Sequence, residues 1–212
     1  MANFILLYFG NVPMFIMPQN IAQLVKFASI WLILLTLPLM AAPKKPLPHH
    51  PFDEYWILID TKKLTLDVYN GEEHVIRFPR ISIGSNGAAR HRRRGDRKTP
   101  IGRYQIIELN AKSRFRFFMG LNYPNHGQVE QAYRDKVITS WDYQRLRESF
   151  REGSIPPQDT PMGGDIGIHG LGTSSRELHA IANWTQGCIA VTNEEIDELR
   201  HYVKIGTLVV IQ

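Results

Sequence analysis

The sequence has one cysteine, no internal repeat and neither of the common zinc-binding motifs. Because Cys188 has no second cysteine to pair with, an internal disulfide is excluded. The chain contains no Cys-x-x-Cys pair and no His-Glu-x-x-His segment, and the adjacent His49 and His50 fall in a proline-rich stretch. We therefore expect no metal site and no cofactor.

Long apolar runs are scarce, and the run over residues 27–42 is short for a membrane span, which needs about 20 apolar residues. It predicts a signal peptide over residues 1–42, with an uncleaved N-terminal anchor as the alternative. The proline-rich residues 43–51 predict a linker, and residues 52–212 a folded domain. Both alternatives place the domain in the periplasm or cell envelope, with membrane contact only if the N-terminal segment stays uncleaved.

Charge is not spread evenly along the chain. The net charge is +5, but much of the excess lies in residues 90–98 (RHRRRGDRK). Clustered guanidinium groups can bind nucleic acid through phosphates, but an exported protein rarely meets it, so we expect no nucleic-acid partner. We interpret the run as a solvated loop beside the predicted site, or as a surface attracted to anionic envelope polymers.

Short strands dominate the first half of the predicted domain. Residues 55–71 predict a β-hairpin, and residues 103–109 predict another strand. Residues 128–152 carry apolar side chains at helical spacing, and Thr192 to Glu195 form a capping-box pattern that begins a helix. Residues 207–212 predict a final buried strand. The pattern predicts a fold that is mainly β with a few helices.

Cys188 ends a polar turn, Thr185-Gln186-Gly187-Cys188, just before an apolar stretch. A lone cysteine is more often a small buried hydrophobic residue than a nucleophile. A turn of this kind, however, leaves the thiol accessible and places backbone amides beside it. Such amides can lower the thiol pKa from about 8.5 and can bind a developing oxyanion.

A thiol nucleophile needs a base, and His169 stands at the end of a short apolar strand, residues 165–169. On its own, this histidine fits a packed strand end as well as it fits catalysis. The other histidines lie in the linker, in the basic run, or in contexts that predict solvated side chains: His49, His50, His74, His91, His126, His179 and His201.

The two segments Ile168-His169-Gly170 and Thr185 to Ile189 together resemble the L,D-transpeptidase (YkuD-like) catalytic domain family. The family pattern is His-Gly, a spacer of some fifteen residues, then Ser or Thr, His, Gly, Cys and an aliphatic residue. The resemblance extends over residues 55–212 and includes residues 95–104 (GDRKTPIGRY) and 163–170 (GGDIGIHG). It implies a YkuD-like β-sandwich with a helical cap segment, for which we take residues 116–164.

The resemblance implies a role for each matching residue. Cys188 corresponds to the nucleophile and His169 to the general base, and the amides around Gly187 and Cys188 correspond to the oxyanion site. Thr185 takes the motif's hydroxyl position and Gly170 its glycine. Two residues depart from the pattern.

Gln186 stands where the family usually has His, and Ala190 where it commonly has Arg. The second change removes a cation that could hold a substrate carboxylate. Asn193 falls near the family's downstream Asn.

The family's substrate class is the peptidoglycan stem peptide, attacked through a thioester acyl-enzyme. Transfer to an amine of another stem forms a cross-link, transfer to a lysine attaches an envelope protein, and transfer to water makes an L,D-carboxypeptidase or endopeptidase. The sequence leaves these acceptors open. Because of Gln186 and Ala190, a non-catalytic wall-binding module stays as an alternative.

Overall fold

The computed structural model describes residues 55–212. The predicted signal peptide or anchor (residues 1–42) and the linker (residues 43–51) lie outside the described residues. Within the described part, no helix has the length and apolar character that a membrane crossing requires.

The first two strands form the predicted hairpin. β1 (Tyr55–Asp60) and β2 (Thr65–Asn70) pair antiparallel, with Ile57 opposite Val68. The Asp60 carboxylate accepts the amides of Lys62 and Lys63 and so closes the turn. The remaining strands are β3 (Glu73–Phe78), β4 (Ala88–Ala89), β5 (Thr99–Pro100), β6 (Gly102–Asn110), β7 (Phe118–Leu121), β8 (Gly167–His169), β9 (Ile189–Ala190) and β10 (Leu208–Ile211).

Eight of these strands form one mixed sheet in the order β3-β2-β1-β10-β6-β7-β8-β9, and β4 and β5 pair separately. The pairs β1–β10 and β8–β9 are parallel. The chain beyond β3 returns to the opposite end of the sheet, where Ser82 bridges Ala190 and Gly84 bridges Thr185. These bridges curl the sheet on itself around the core. The prediction of a mainly β fold is confirmed.

The apolar core lies inside this curled sheet, because alternate side chains of each strand point inward. It draws on strands from both ends of the domain and on the helix that follows β9. Fully buried members are Ile57, Ile59, Leu66, Val68, Ile106, Met119, Ile168, Ile189, Val191, Ile196, Leu199 and Val209.

A helical layer is inserted between β7 and β8. It contains α1 (His126–Arg134) and α2 (Ser140–Glu152), where the sequence predicted helical structure over residues 128–152. Asn125 caps α1 and Thr139 caps α2, each through a capping box. The predicted cap, residues 116–164, begins too early, because Phe118–Leu121 is strand β7 of the main sheet.

Two short helices complete the described chain. α3 (Arg176–Ile181) lies between β8 and β9. α4 (Asn193–Leu199) begins at the predicted capping box of Thr192 and Glu195, and a single 3₁₀ turn, Arg200–Tyr202, follows it.

The helical insertion has its own apolar cluster, centred on the fully buried Leu146 of α2. Replacing Leu146 by Ala removes buried methyl groups and leaves a cavity, so we expect the free energy of unfolding to fall by about 2 to 5 kcal/mol. Chemical denaturation measures this change. Gln144→Ala on the exposed face of the same helix is the matched control and should shift stability by less than about 0.5 kcal/mol. Equal effects of the two substitutions would contradict this packing.

Candidate active site

Two buried threonine hydroxyls hold the turn that carries Cys188. The Thr185 hydroxyl accepts the Gly187 amide at 3.1 Å and donates to the Cys188 carbonyl at 2.7 Å. The Thr99 hydroxyl donates to the Gly187 carbonyl at 2.9 Å and accepts the Gly84 amide at 2.9 Å. The turn is therefore fixed both from within and from the first residue of β5. Thr99 was not among the predicted site residues.

Gly187 is required by the shape of this turn. Its φ is +133°, which disfavours any residue with a Cβ. A Cβ placed there would lie 2.8 Å from the Arg92 Nη1 atom and 2.8 Å from the Lys98 carbonyl oxygen. The Gly187 amide already donates to Thr185, so it is not free to bind an oxyanion. The assignment of the Cys188 amide to that role stays a prediction.

Strand pairing brings His169 close to the turn that carries Cys188. β8 and β9 run parallel, with Ile168 opposite Ile189 and His169 opposite Ala190. The last residue of β8 therefore lies beside the residues that immediately follow the cysteine turn. The site is built at one end of the sheet, where its last two strands meet.

The His169 ring has a defined tautomer. Its Nδ1 atom lies 2.7 Å from the Gly170 carbonyl oxygen, and because a carbonyl can only accept, Nδ1 carries the proton. Nε2 is therefore the basic nitrogen. The side chain is buried, with 2% of the residue exposed, and this burial lowers its pKa to about 4, although the Gly170 carbonyl acts in the opposite direction. At neutral pH the ring is uncharged and can accept a proton.

Aromatic side chains enclose the imidazole. Phe115 stacks on it with ring centroids 4.1 Å apart, Phe118 lies at 6.4 Å, and Trp184 meets it edge-on at 6.0 Å. These rings exclude water from the base. Phe115 and Phe118 come from the segment around the start of β7, more than fifty residues before His169, and no local pattern marked them as part of the site.

The surroundings of Cys188 keep its thiol protonated. Its Sγ atom donates to the Asp165 carbonyl at 3.2 Å, and the residue is half-buried. Burial raises the pKa of the thiol to about 11, opposed in part by the Gly167 amide and the Arg92 charge. Near neutral pH the pair therefore consists of a thiol and a neutral imidazole. Such a pair can transfer a proton as the sulfur attacks, rather than store a thiolate.

Cys188 and His169 line one groove with a volume of about 730 Å³. Thr185 and the exposed Gln186 also line it, so the structure brings four of the six predicted site residues to one surface. Other lining residues include Arg92, Arg94, Arg114, Phe115, Phe118, Asp165 and Trp184. Within residues 55–212, no group of three His, Cys, Asp or Glu side chains is placed to hold a metal ion.

Gly170 supports the base by allowing close packing. A Cβ at this position would lie 2.8 Å from the Phe115 carbonyl oxygen and 2.9 Å from the Asn193 side-chain oxygen. Asn193 in turn accepts the Gly172 amide at 2.8 Å and donates to the Gly172 carbonyl at 2.9 Å. Asn193 therefore pins the loop that follows His169.

Two expectations of solvent exposure are wrong. His179 is 3% exposed because α3 packs it inward, where it contacts the Arg80 carbonyl at 3.1 Å and accepts the Trp184 indole N–H at 3.4 Å. Arg92 of the predicted solvated loop is 7% exposed and faces the groove. The contact between His179 and Arg80 joins segments 99 residues apart, which local patterns do not reveal.

The family comparison agrees with the geometry. The family model described as the L,D-transpeptidase catalytic domain (YkuD) matches residues 54–211. No curated protein matches the chain.

Three solved structures are similar to this chain, and the first of them shares its fold. The helical cell shape determining protein Pgp2 from Campylobacter jejuni is 23% identical with a TM-score of 0.51, over 76% of this chain and 48% of that one. Bd1075 from Bdellovibrio bacteriovorus is 23% identical with a TM-score of 0.48, again over 76% and 48%. An L,D-transpeptidase from Stackebrandtia nassauensis is 13% identical with a TM-score of 0.44, over 82% and 61%. The chain therefore spans about half the length of the first two proteins.

The buried, neutral His169 predicts a loss of stability in acid. The unfolded state takes up a proton near pH 6.5, whereas the folded state does so only near pH 4. The free energy of unfolding should therefore fall as the pH decreases from 6.5 to 4, with His169 contributing on the order of 3 kcal/mol. Urea denaturation at a series of pH values measures this change in the free energy of unfolding. His169→Gln should flatten the profile in this range, and a variant profile parallel to that of the wild type would contradict the burial.

The thiol pKa predicts the pH dependence of alkylation. Since only the thiolate reacts, the rate of Cys188 alkylation by iodoacetamide should keep rising about tenfold per pH unit from pH 7 to pH 10. Free cysteine, measured in parallel, should level off near its pKa of about 8.5. Because the chain has a single cysteine, the mass of the adduct identifies the site. A plateau below pH 9 would show that the thiol is less buried than described.

Proposed function

Because the chain belongs to the family of L,D-transpeptidase catalytic domains, we propose that it is a cysteine-dependent acyltransferase that acts on peptidoglycan stem peptides. One observation carries this proposal: the Cys188 thiol, in the turn that leads into β9, and the neutral His169 imidazole, at the end of the neighbouring parallel strand β8, line one groove. A nucleophile with a base beside it is the arrangement that acyl transfer needs. The proposed reaction uses no cofactor.

In the first half-reaction, His169 Nε2 accepts the thiol proton while Cys188 Sγ attacks the carbonyl carbon at the L-centre of the diamino acid. A carbon–sulfur bond forms and the carbonyl oxygen takes up negative charge. Collapse of this intermediate breaks the carbon–nitrogen bond to the terminal D-residue. The leaving amine takes the proton from His169, and the stem stays on Cys188 as a thioester.

In the second half-reaction, an acceptor amine attacks the thioester and gives its proton to His169. The carbon–sulfur bond breaks, the sulfur recovers the proton, and a new amide is released. The acceptor is a neighbouring stem in cross-linking, or a lysine when an envelope protein is attached. With water as acceptor, the same site would act as an L,D-carboxypeptidase or endopeptidase.

A second cleft beside the groove supports an amine acceptor over water. This open cleft has a volume of about 650 Å³ and meets the groove at Arg94, Gln158 and Asp165. Three carboxylates of the helical insertion line it, Glu148, Glu152 and Asp159, of which Glu148 pairs with Arg151 and Asp159 with Arg145. A cleft with acidic groups suits an ammonium-bearing chain, and it adjoins the thioester position. We therefore assign acceptor choice to the helical insertion.

In the proposed site, one of the remaining assigned residues contacts the substrate, and the others hold the backbone around Cys188 and His169. Gln186 is exposed in the groove, in the position where the family usually has His, and we assign it to substrate contact. Thr185 and Gly187 shape the cysteine turn, and Gly170 supports the base. Peptidoglycan as substrate places the protein in the periplasm or cell envelope, with membrane contact only if the N-terminal segment is uncleaved.

The acyl-enzyme gives a direct test. Incubation of the purified protein with disaccharide-tetrapeptide should yield a covalent adduct, whose mass is that of the protein plus the substrate without its terminal residue. Adding an amine acceptor should release a condensed product, read out by mass spectrometry. His169→Gln should slow adduct formation by about 10² to 10⁴-fold, because it removes the base.

Cys188→Ala is the control and should form no adduct while keeping the wild-type melting curve. Hydrolysed product with and without the amine would replace the transferase assignment by a hydrolase. Binding to peptidoglycan with neither adduct nor turnover would instead favour the wall-binding module.

A further inference from the structure

Arg92 differs from its neighbours in the basic loop. Arg90, Arg93 and Arg94 are exposed, but only 4% of the Arg92 side chain is accessible. Removing a guanidinium group from water costs several kcal/mol unless hydrogen bonds and opposite charge compensate. A buried arginine therefore normally has its donors paired.

Two of the three Arg92 guanidinium nitrogens make no hydrogen bond within the described part of the chain, although Nε forms an ion pair with Asp96. Within residues 55–212, neither Nε nor Nη1 has a hydrogen-bond partner, although both are buried. The nearest carboxylate, Asp96, lies 3.4 Å from Nε, and its two oxygens already accept the amides of Arg93 and Lys98. The ring of Tyr123 lies beneath the guanidinium, with the Cζ atom 5.4 Å from its centre. The site thus holds a desolvated cation with unused donors.

The guanidinium lies beside the nucleophile. Nη1 packs against Gly187, where an added Cβ would be 2.8 Å away, and Nη2 packs against Gly163, where the corresponding distance is 3.5 Å. Both glycines have positive φ, of +133° and +76°, so these backbones approach the guanidinium closely. Arg92 also lines the groove that contains Cys188 and His169.

We propose that Arg92 binds the free terminal carboxylate of the donor stem peptide. This inference rests on the proposed function. The carboxylate of the leaving residue lies one residue, at most about 3.8 Å, beyond the carbonyl that the thiol attacks. The Arg92 guanidinium packs on Gly187, the residue before Cys188, and lines the same groove as the thiol, so it is on the side where this carboxylate would lie. A guanidinium binds a carboxylate through two parallel hydrogen bonds, which would use the unpaired donors.

This role explains the departure at Ala190. The family commonly has a cation there, whereas Ala190 is fully buried at the end of β9. Arg92 supplies a positive charge to the same groove from a different loop. Arg94 also lines the groove, but it is exposed and donates to the Gln158 carbonyl, so its charge is hydrated. A buried cation discriminates more strongly between a charged and a neutral ligand group.

The consequence is selection for stems with a free terminus. A stem whose terminal residue is amidated, or extended through its carboxyl group, presents no carboxylate to Arg92 and leaves its buried donors without hydrogen bonds. The protein should therefore act on uncapped tetrapeptide stems in preference to capped ones.

Two substrates that differ in one group test this inference: a tetrapeptide stem with a free terminal carboxylate and the same stem as a carboxamide. We expect the wild type to prefer the carboxylate about 10- to 100-fold in kcat/KM, the range for a charge-assisted hydrogen-bonded pair. Arg92→Gln should reduce this ratio to within about threefold, and Arg92→Lys should give an intermediate ratio. Arg93→Gln makes the same charge change on an exposed residue of the same loop and should keep the wild-type ratio.

If Arg92 were only structural, Arg92→Gln would lower kcat/KM equally for the carboxylate and the carboxamide. The ratio of the two values would then stay unchanged, which would overturn the inference. Loss of the ratio in Arg94→Gln instead of Arg92→Gln would overturn it as well, as would a wild type without preference.

A binding measurement keeps the inference separate from the proposed reaction. In the Cys188→Ala background, calorimetry should show tighter binding of the carboxylate than of the carboxamide, and Arg92→Gln should abolish the difference. Absence of turnover in the wild type with this binding difference intact would reject the reaction but keep the carboxylate site. Turnover in the wild type without any difference in binding between the two ligands would keep the proposed reaction but reject the carboxylate site.

Discussion

The parallel pairing of β8 with β9 is the constraint on which the site depends. It sets His169 opposite Ala190, two residues after Cys188, and thereby brings the base and the thiol to one end of the sheet. The pairing fixes the strands, and the hydroxyls of Thr185 and Thr99 fix the turn that precedes β9. Thr99 begins β5 and also accepts the amide of Gly84, which bridges Thr185, so the turn is tied to the segment that closes the sheet.

Desolvation then decides the chemistry of the pair. Aromatic rings around His169 and the partly buried position of Cys188 disfavour charge on both groups, so burial lowers the pKa of one and raises the pKa of the other. The neutral pair costs stability in acid. In the proposed reaction, the proton leaves the sulfur only when a substrate carbonyl is present to receive the attack.

Beside the uncharged pair of Cys188 and His169, Arg92 provides a buried positive charge in the groove. The helical insertion adds carboxylates at the adjoining cleft. In the proposed reaction, the two sides of the thioester position therefore differ in charge. One side would suit the carboxylate of the departing residue and the other an incoming amine, so that the donor and acceptor chains would have separate places without a change in the fold.

The sequence by itself determined the features that depend on neighbours along the chain. Apolar periodicity located the β1–β2 hairpin and the helical insertion, the capping box began α4 at Thr192, and the motif around Cys188 and His169 identified the family. Only the tertiary structure decided the burial of Arg92 and His179 and the aromatic enclosure of His169. Those features come from contacts between segments as much as a hundred residues apart, and a residue's exposure depends on what packs over it rather than on the residues beside it in the chain.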